Sequence, residues 1–133
     1  MRTQTLLFIG LLLASGCDSP SAATGVPLGR PFELAPAASR QVSGLTLGFE
    51  RVAEDSRCPI DALCVWEGDA TLVVSLRAAS GERQWFELHT GGDRPRETSF
   101  AGYTVRLIDL LPAQRSDRAI PPADYRATLV VTR

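Results

Sequence analysis

A chain of 133 residues is the size of one domain. With 44% hydrophobic and 22% charged residues it has the composition of a folded protein rather than a disordered one. Its 14 basic residues, all Arg, face 15 acidic ones, so no strong basic field points to nucleic acid.

The opening stretch, MRTQTLLFIGLLLASGC, carries one cation, Arg2, ahead of an apolar run from Leu6 to Ala14. Nine residues of helix reach about 14 Å, well short of a hydrocarbon core of about 30 Å. A basic start, a short apolar run and small residues at its end are the pattern of a secretory signal peptide, expected over residues 1–16. The ending Leu13-Ala14-Ser15-Gly16-Cys17 resembles the lipobox of bacterial lipoproteins, with Ala14 where Leu is commonest. The resemblance implies a diacylglycerol on the Cys17 thiol and a mature chain that begins there. Several acyl chains give stable anchoring, because each buried CH₂ contributes about 0.8 kcal/mol. Asp18 resembles the inner-membrane retention signal of enteric lipoproteins, which slightly favours the inner membrane, with the domain in the periplasm.

From Cys17 onward 13 basic residues face 15 acidic ones, a net charge of −2. Residues 17–29 are rich in Ser, Pro, Gly and Ala and read as a flexible tether, leaving a single β domain over 30–133. PFELA at 31–35 suits a short first strand. GLTLGFERVAED alternates Leu45, Leu47 and Phe49 before Val52 falls out of phase, which places a bulge near Glu50–Arg51.

Next comes DSRCPIDALCVWEGDA, residues 55–70, with Cys58 and Cys64 among Asp55, Asp61, Glu67 and Asp69. Lipid on Cys17 leaves these two thiols as an even pair in a compartment that permits disulfides. A bridge closing this loop stabilises by roughly 2–2.5 kcal/mol on the chain-entropy estimate. The rivals are weaker. A redox pair has the tighter C-x-x-C spacing. A zinc site wants four ligands, against two thiols and the single His89. The alternating acids and central Gly of a calcium loop are absent. No metal or cofactor is expected.

DATLVVSLRAA sets Ala70, Leu72, Val74 and Leu76 on one side, and ASGE at 79–82 is a turn. RQWFELHT aligns Phe86 with Leu88. GYTVRLIDLLP aligns Tyr103, Val105 and Leu107 before Pro112 ends the strand, and DYRATLVVTR aligns Tyr125, Ala127, Leu129 and Val131. GGDRPRETSFAG and AQRSDRAIPPAD read as long polar connections, with room for one helical turn. Period-two patterning throughout makes the domain all-β: a small antiparallel β-sandwich or barrel of five strong strands and one or two weak ones.

The stretch FERVAEDSRCPIDALCVWEGDATLVVSL is similar to a group of small secreted or lipidated bacterial proteins of uncharacterised function. They share D-S-R-C-P, a second Cys, V-W, a Gly and an apolar strand, here Asp55, Ser56, Arg57, Cys58, Pro59, Cys64, Val65, Trp66 and Gly68. The likeness implies architecture and export and carries no activity.

The chain is not expected to be an enzyme. His89 reads as a surface or edge histidine, no G-x-S-x-G elbow occurs, and no carboxylate pair stands out for acid–base work. Arg57 is expected in an exposed pair with Asp55, Asp61 or Glu67, worth little. Two readings of the cysteine loop compete. In one, Trp66 packs over the disulfide as part of the core. In the other, a stapled tip presents Asp61, Leu63, Trp66 and Glu67 to an envelope protein partner, with Ile60 alongside. The expected function is therefore a membrane-anchored lipoprotein bearing a periplasmic binding or protein-interaction module. A small-ligand or metal carrier is the alternative, and a small hydrolase the last choice.

Overall fold

The computed structural model describes residues 25–133, so Cys17 and the expected signal peptide lie outside the described residues. Eight strands follow in chain order: β1 (Phe32–Leu34), β2 (Ala38–Val42), β3 (Leu45–Asp55), β4 (Ala70–Ala78), β5 (Arg83–His89), β6 (Glu97–Phe100), β7 (Tyr103–Leu111) and β8 (Arg126–Thr132). A single 3₁₀ turn, Pro122–Asp124, precedes β8. They form two four-stranded antiparallel sheets, β1-β8-β7-β6 and β2-β3-β4-β5, packed on one another as a β-sandwich.

The core is what the alternation requires. Leu45, Leu47 and Phe49 of β3 and Leu72, Val74 and Leu76 of β4 are fully buried. They meet Val105, Leu107, Leu129 and Val131 of the facing sheet. Two strands carry bulges that reset the alternation. In β3 the register shifts between Phe49 and Arg51, where the sequence places a bulge, and again between Val52 and Glu54. In β7 a shift between Leu107 and Asp109 turns Leu110 inward, where strict alternation would bury the Asp109 carboxylate.

Two strands were hidden in the sequence. In β2 and β6 only Val42 and Phe100 are buried, because both strands lie at sheet edges and present polar side chains to water. The polar stretch assigned to a connection at 91–102 thus contains β6. The domain also begins before Arg30: the Val26 N–H donates to the Gln41 carbonyl (3.0 Å) and the Gly29 N–H to the Val131 carbonyl (2.7 Å). Both anchor points lie at the end of the sandwich where β3 and β7 start, beside Tyr103, whose hydroxyl accepts the Gly44 N–H at 3.1 Å.

Among the described residues Phe49 is the largest fully buried side chain. Phe49→Ala should lower stability by about 3–5 kcal/mol in urea unfolding.

Candidate functional site

At the opposite end of the sandwich the β3–β4 hairpin runs on past its strands. The Ser56 N–H donates to the Asp69 carbonyl (2.7 Å) and the Cys58 N–H to the Glu67 carbonyl (2.8 Å), adding two rungs to the ladder. Beyond them Cys58 and Cys64 are joined in a disulfide with Cα atoms 6.0 Å apart, so the bridge closes the hairpin's tip. Gly68 makes the return leg possible. Its φ is +71°, and a Cβ there would meet the backbone of Ser56 and Arg57.

The base of the tip is held by Arg57. Its Nε and Nη2 donate to the two oxygens of Asp55 at 2.8 and 2.7 Å, a bidentate pair. Nη1 and Nη2 also reach the carbonyls of Leu110 (2.7 Å) and Pro112 (2.9 Å) at the end of β7. The Tyr125 hydroxyl, from the entrance to β8, donates to Asp55 Oδ2 at 2.9 Å. One guanidinium therefore ties the end of one sheet to the end of the other. The pair is not the exposed one expected from sequence. The side chains are 15% and 6% accessible, because the strand ends close over them.

The flanks are fixed too. The Ile60 N–H donates to the Gln114 carbonyl (2.9 Å), while Ser116 gives its N–H (2.9 Å) and hydroxyl (2.7 Å) to the Asp61 carboxylate. On the other side Asp69 gathers the N–H groups of Thr90 and Gly91, both at 3.0 Å, and the ring of His89 at 2.6 Å. The Glu67 Oε1 accepts the Gly92 N–H at 2.8 Å. His89 is buried, not a surface histidine, and its ring also lies 3.3 Å from the Thr71 hydroxyl. The sequence offers no sign of this role, because the loop whose Pro95 carbonyl accepts the His89 N–H (3.0 Å) has no pattern of its own.

These fixings account for every polar residue proposed for the tip and leave its apolar ones outside. Ile60 is 67% accessible, Leu63 105%, Val65 92% and Trp66 83%. Trp66 is therefore not part of the core. The disulfide closes a loop beyond the end of the sheets, where Cys64 is itself exposed and no apolar layer exists for an indole to enter. All four residues expected to form a partner surface, Asp61, Leu63, Trp66 and Glu67, are exposed, and Asp61 and Glu67 also hydrogen-bond neighbouring loops. Val65 joins the surface unforeseen. In a strand a Val-Trp pair puts one side chain on each face, but in a loop both can point out. No family model, curated protein or solved structure matches the chain, so its functional reading rests on this geometry.

The carboxylates report the same construction. Burial pushes the Asp55 pKa up, but the hydrogen bonds from Arg57 and Tyr125 and the Arg57 charge outweigh it, holding the group below its ordinary 3.8. Burial likewise opposes the shift at Asp69, where the Gly91 N–H and His89 prevail and lower it. Asp61 is lowered chiefly by the Ser116 N–H. Tyr125 moves the other way, to about 12, through burial first and then through its hydrogen bond to Asp55 and that group's charge.

A carboxyl lowered in the fold contributes stability that is complete above about pH 4 and lost as pH falls through its folded value. A raised tyrosine contributes stability that is complete below about pH 10 and lost as pH climbs toward its folded value of about 12. Unfolding free energy measured against pH should show a plateau between these limits. Asp55→Asn should shrink the acid-side loss and Tyr125→Phe the alkaline one. Profiles that keep both arms at full size in these variants would refute the clamp.

Proposed function

We propose that this is a lipid-anchored envelope protein whose β-sandwich is a recognition module, binding a protein partner through the stapled tip. The observation that carries the reading is the set of four apolar side chains, Ile60, Leu63, Val65 and Trp66, left in water on a loop fixed at its base and on both flanks. Fully burying one such side chain is worth about 1.5–3 kcal/mol, and a folded domain normally collects that gain internally. Here the loop's architecture forgoes it. A disulfide, a bidentate arginine and three hydrogen-bonded carboxylates hold the side chains outward, so a partner meets a loop whose ordering cost has already been met in folding. Trp is also the residue type most enriched where interfaces concentrate their binding energy.

The remaining chemistry favours binding over catalysis. The His89 ring is engaged with Asp69 and the Thr71 hydroxyl, and Asp69 with the backbone of Thr90 and Gly91. Anchoring rests on the likeness of residues 13–17 to a lipobox, and export on the same segment together with the disulfide.

Two measurements test the two halves of the proposal. Cys17→Ser should move the protein from the membrane to the soluble fraction, and unchanged membrane association would remove the lipid anchor. Leu63→Ser combined with Trp66→Ala should leave stability within about 0.5 kcal/mol, since both residues are exposed. On native gels from the source organism it should abolish the partner complex, while Trp85→Ala, at the other exposed tryptophan, keeps it. A complex that survives the tip double variant would show that recognition lies elsewhere.

A further inference from the structure

We infer that the tip is a convex plug whose occupant is a protein on the far side of the domain from the chain's N-terminal anchor, offering an apolar pocket with a cationic rim. The inference rests on the recognition reading above and adds the partner's position and chemistry.

Position comes first. The described chain enters at Gly25, and Val26 is fixed to Gln41, opposite the start of β3. Gly29 is fixed to Val131, opposite Val105 near the start of β7. Arg57 and the tip stand at the other end of both strands. An anchor on Cys17 therefore enters the domain at one pole and leaves the tip at the other. Residues 17–24 extend at most about 29 Å, whereas β3, with its eleven residues, runs about 35 Å before the tip begins.

Charge then separates the remaining occupants. Residues 54–69 hold five acids, Glu54, Asp55, Asp61, Glu67 and Asp69, against Arg57, a net −4. The flanking loops at 90–96 and 112–118 each contribute +1, in part through Arg115 and Arg118, which share Asp117 at 3.2 and 3.5 Å. The tip pole thus carries −2, while the rest of residues 25–133 carries +1. A loop that enters anionic lipid carries basic residues around its apolar side chains, and this one carries acids. A second copy docking tip to tip would bring two negative poles together. A protein pocket lined by apolar side chains and rimmed by Lys or Arg satisfies both features at once. Leu63, wholly exposed at the far end of the loop, and Trp66 are the side chains that enter it.

The test places a photoreactive side chain at Leu63 of the full-length protein in its native host, with Leu28, exposed near the anchor pole, as the comparison site. The Leu63 site should yield one protein adduct that Leu28 does not give. Its yield should fall several-fold as salt is raised, and it should vanish with Trp66→Ala. Sequencing the crosslinked peptide should map it to an apolar segment flanked by Lys or Arg. A lipid adduct at Leu63, an adduct with a second copy, or a yield indifferent to salt overturns this partner assignment. If any of these accompanies a complex that is lost in the tip double variant, the recognition loop stands and only its partner changes. No adduct at Leu63 beside a complex that survives in that variant removes both readings.

Discussion

The base of the tip is joined to both sheets by one side chain. Arg57 uses three nitrogens to hold a carboxylate on β3 and two carbonyls at the end of β7. The sheets of a sandwich are joined mainly by apolar contact between their inner faces, which weakens at the ends where the layers open to water. A guanidinium suits that position because its flat fork satisfies a carboxylate and backbone carbonyls together. Removing it would leave the buried Asp55 carboxylate without its cation and two carbonyls without this donor. That asymmetry explains why breaking such a pair costs more than forming it contributes.

The disulfide is the more visible constraint but the more local one. It closes seven residues, and its loop sits on a platform that exists without it: two extra ladder rungs, the Asp61–Ser116 contact and the Asp69 cluster. The bridge sets the shape of the tip, and the arginine sets where the tip stands. Together they let a small domain keep Trp66 and Leu63 in water, against the tendency of such side chains to collapse onto the nearest apolar surface.

The fold was largely legible because buried strands advertise themselves. The core strands β3, β4, β7 and β8 alternate clearly, and the misplaced Val52 betrayed a bulge. Edge strands β2 and β6 did not, since one buried residue in each makes no pattern. At the candidate site the sequence showed where the chemistry was dense, but not which way it faced. Trp66 beside a disulfide reads first as core and only second as surface, and it is exposed. The answer depends on Arg57 reaching the carbonyls of Leu110 and Pro112 and on Tyr125 reaching Asp55, meetings of residues far apart in the chain. The burial of His89 is illegible for a similar reason: its ring partner Asp69 lies twenty residues away across the hairpin.

The order in which strands become available imposes an asymmetry on how this domain can assemble. The sheet β2-β3-β4-β5 is an uninterrupted meander, and residues 38–89 contain all of it. The other sheet pairs the first strand with the last, Phe32 opposite Leu129. A chain that emerges N-terminus first can therefore form one half of the sandwich early, with its apolar inner face uncovered. Only after the final strand arrives can β1 be seated and the interior sealed. Until then β1 has no sheet to join, and loop-closure entropy works against every contact that would shield the early half.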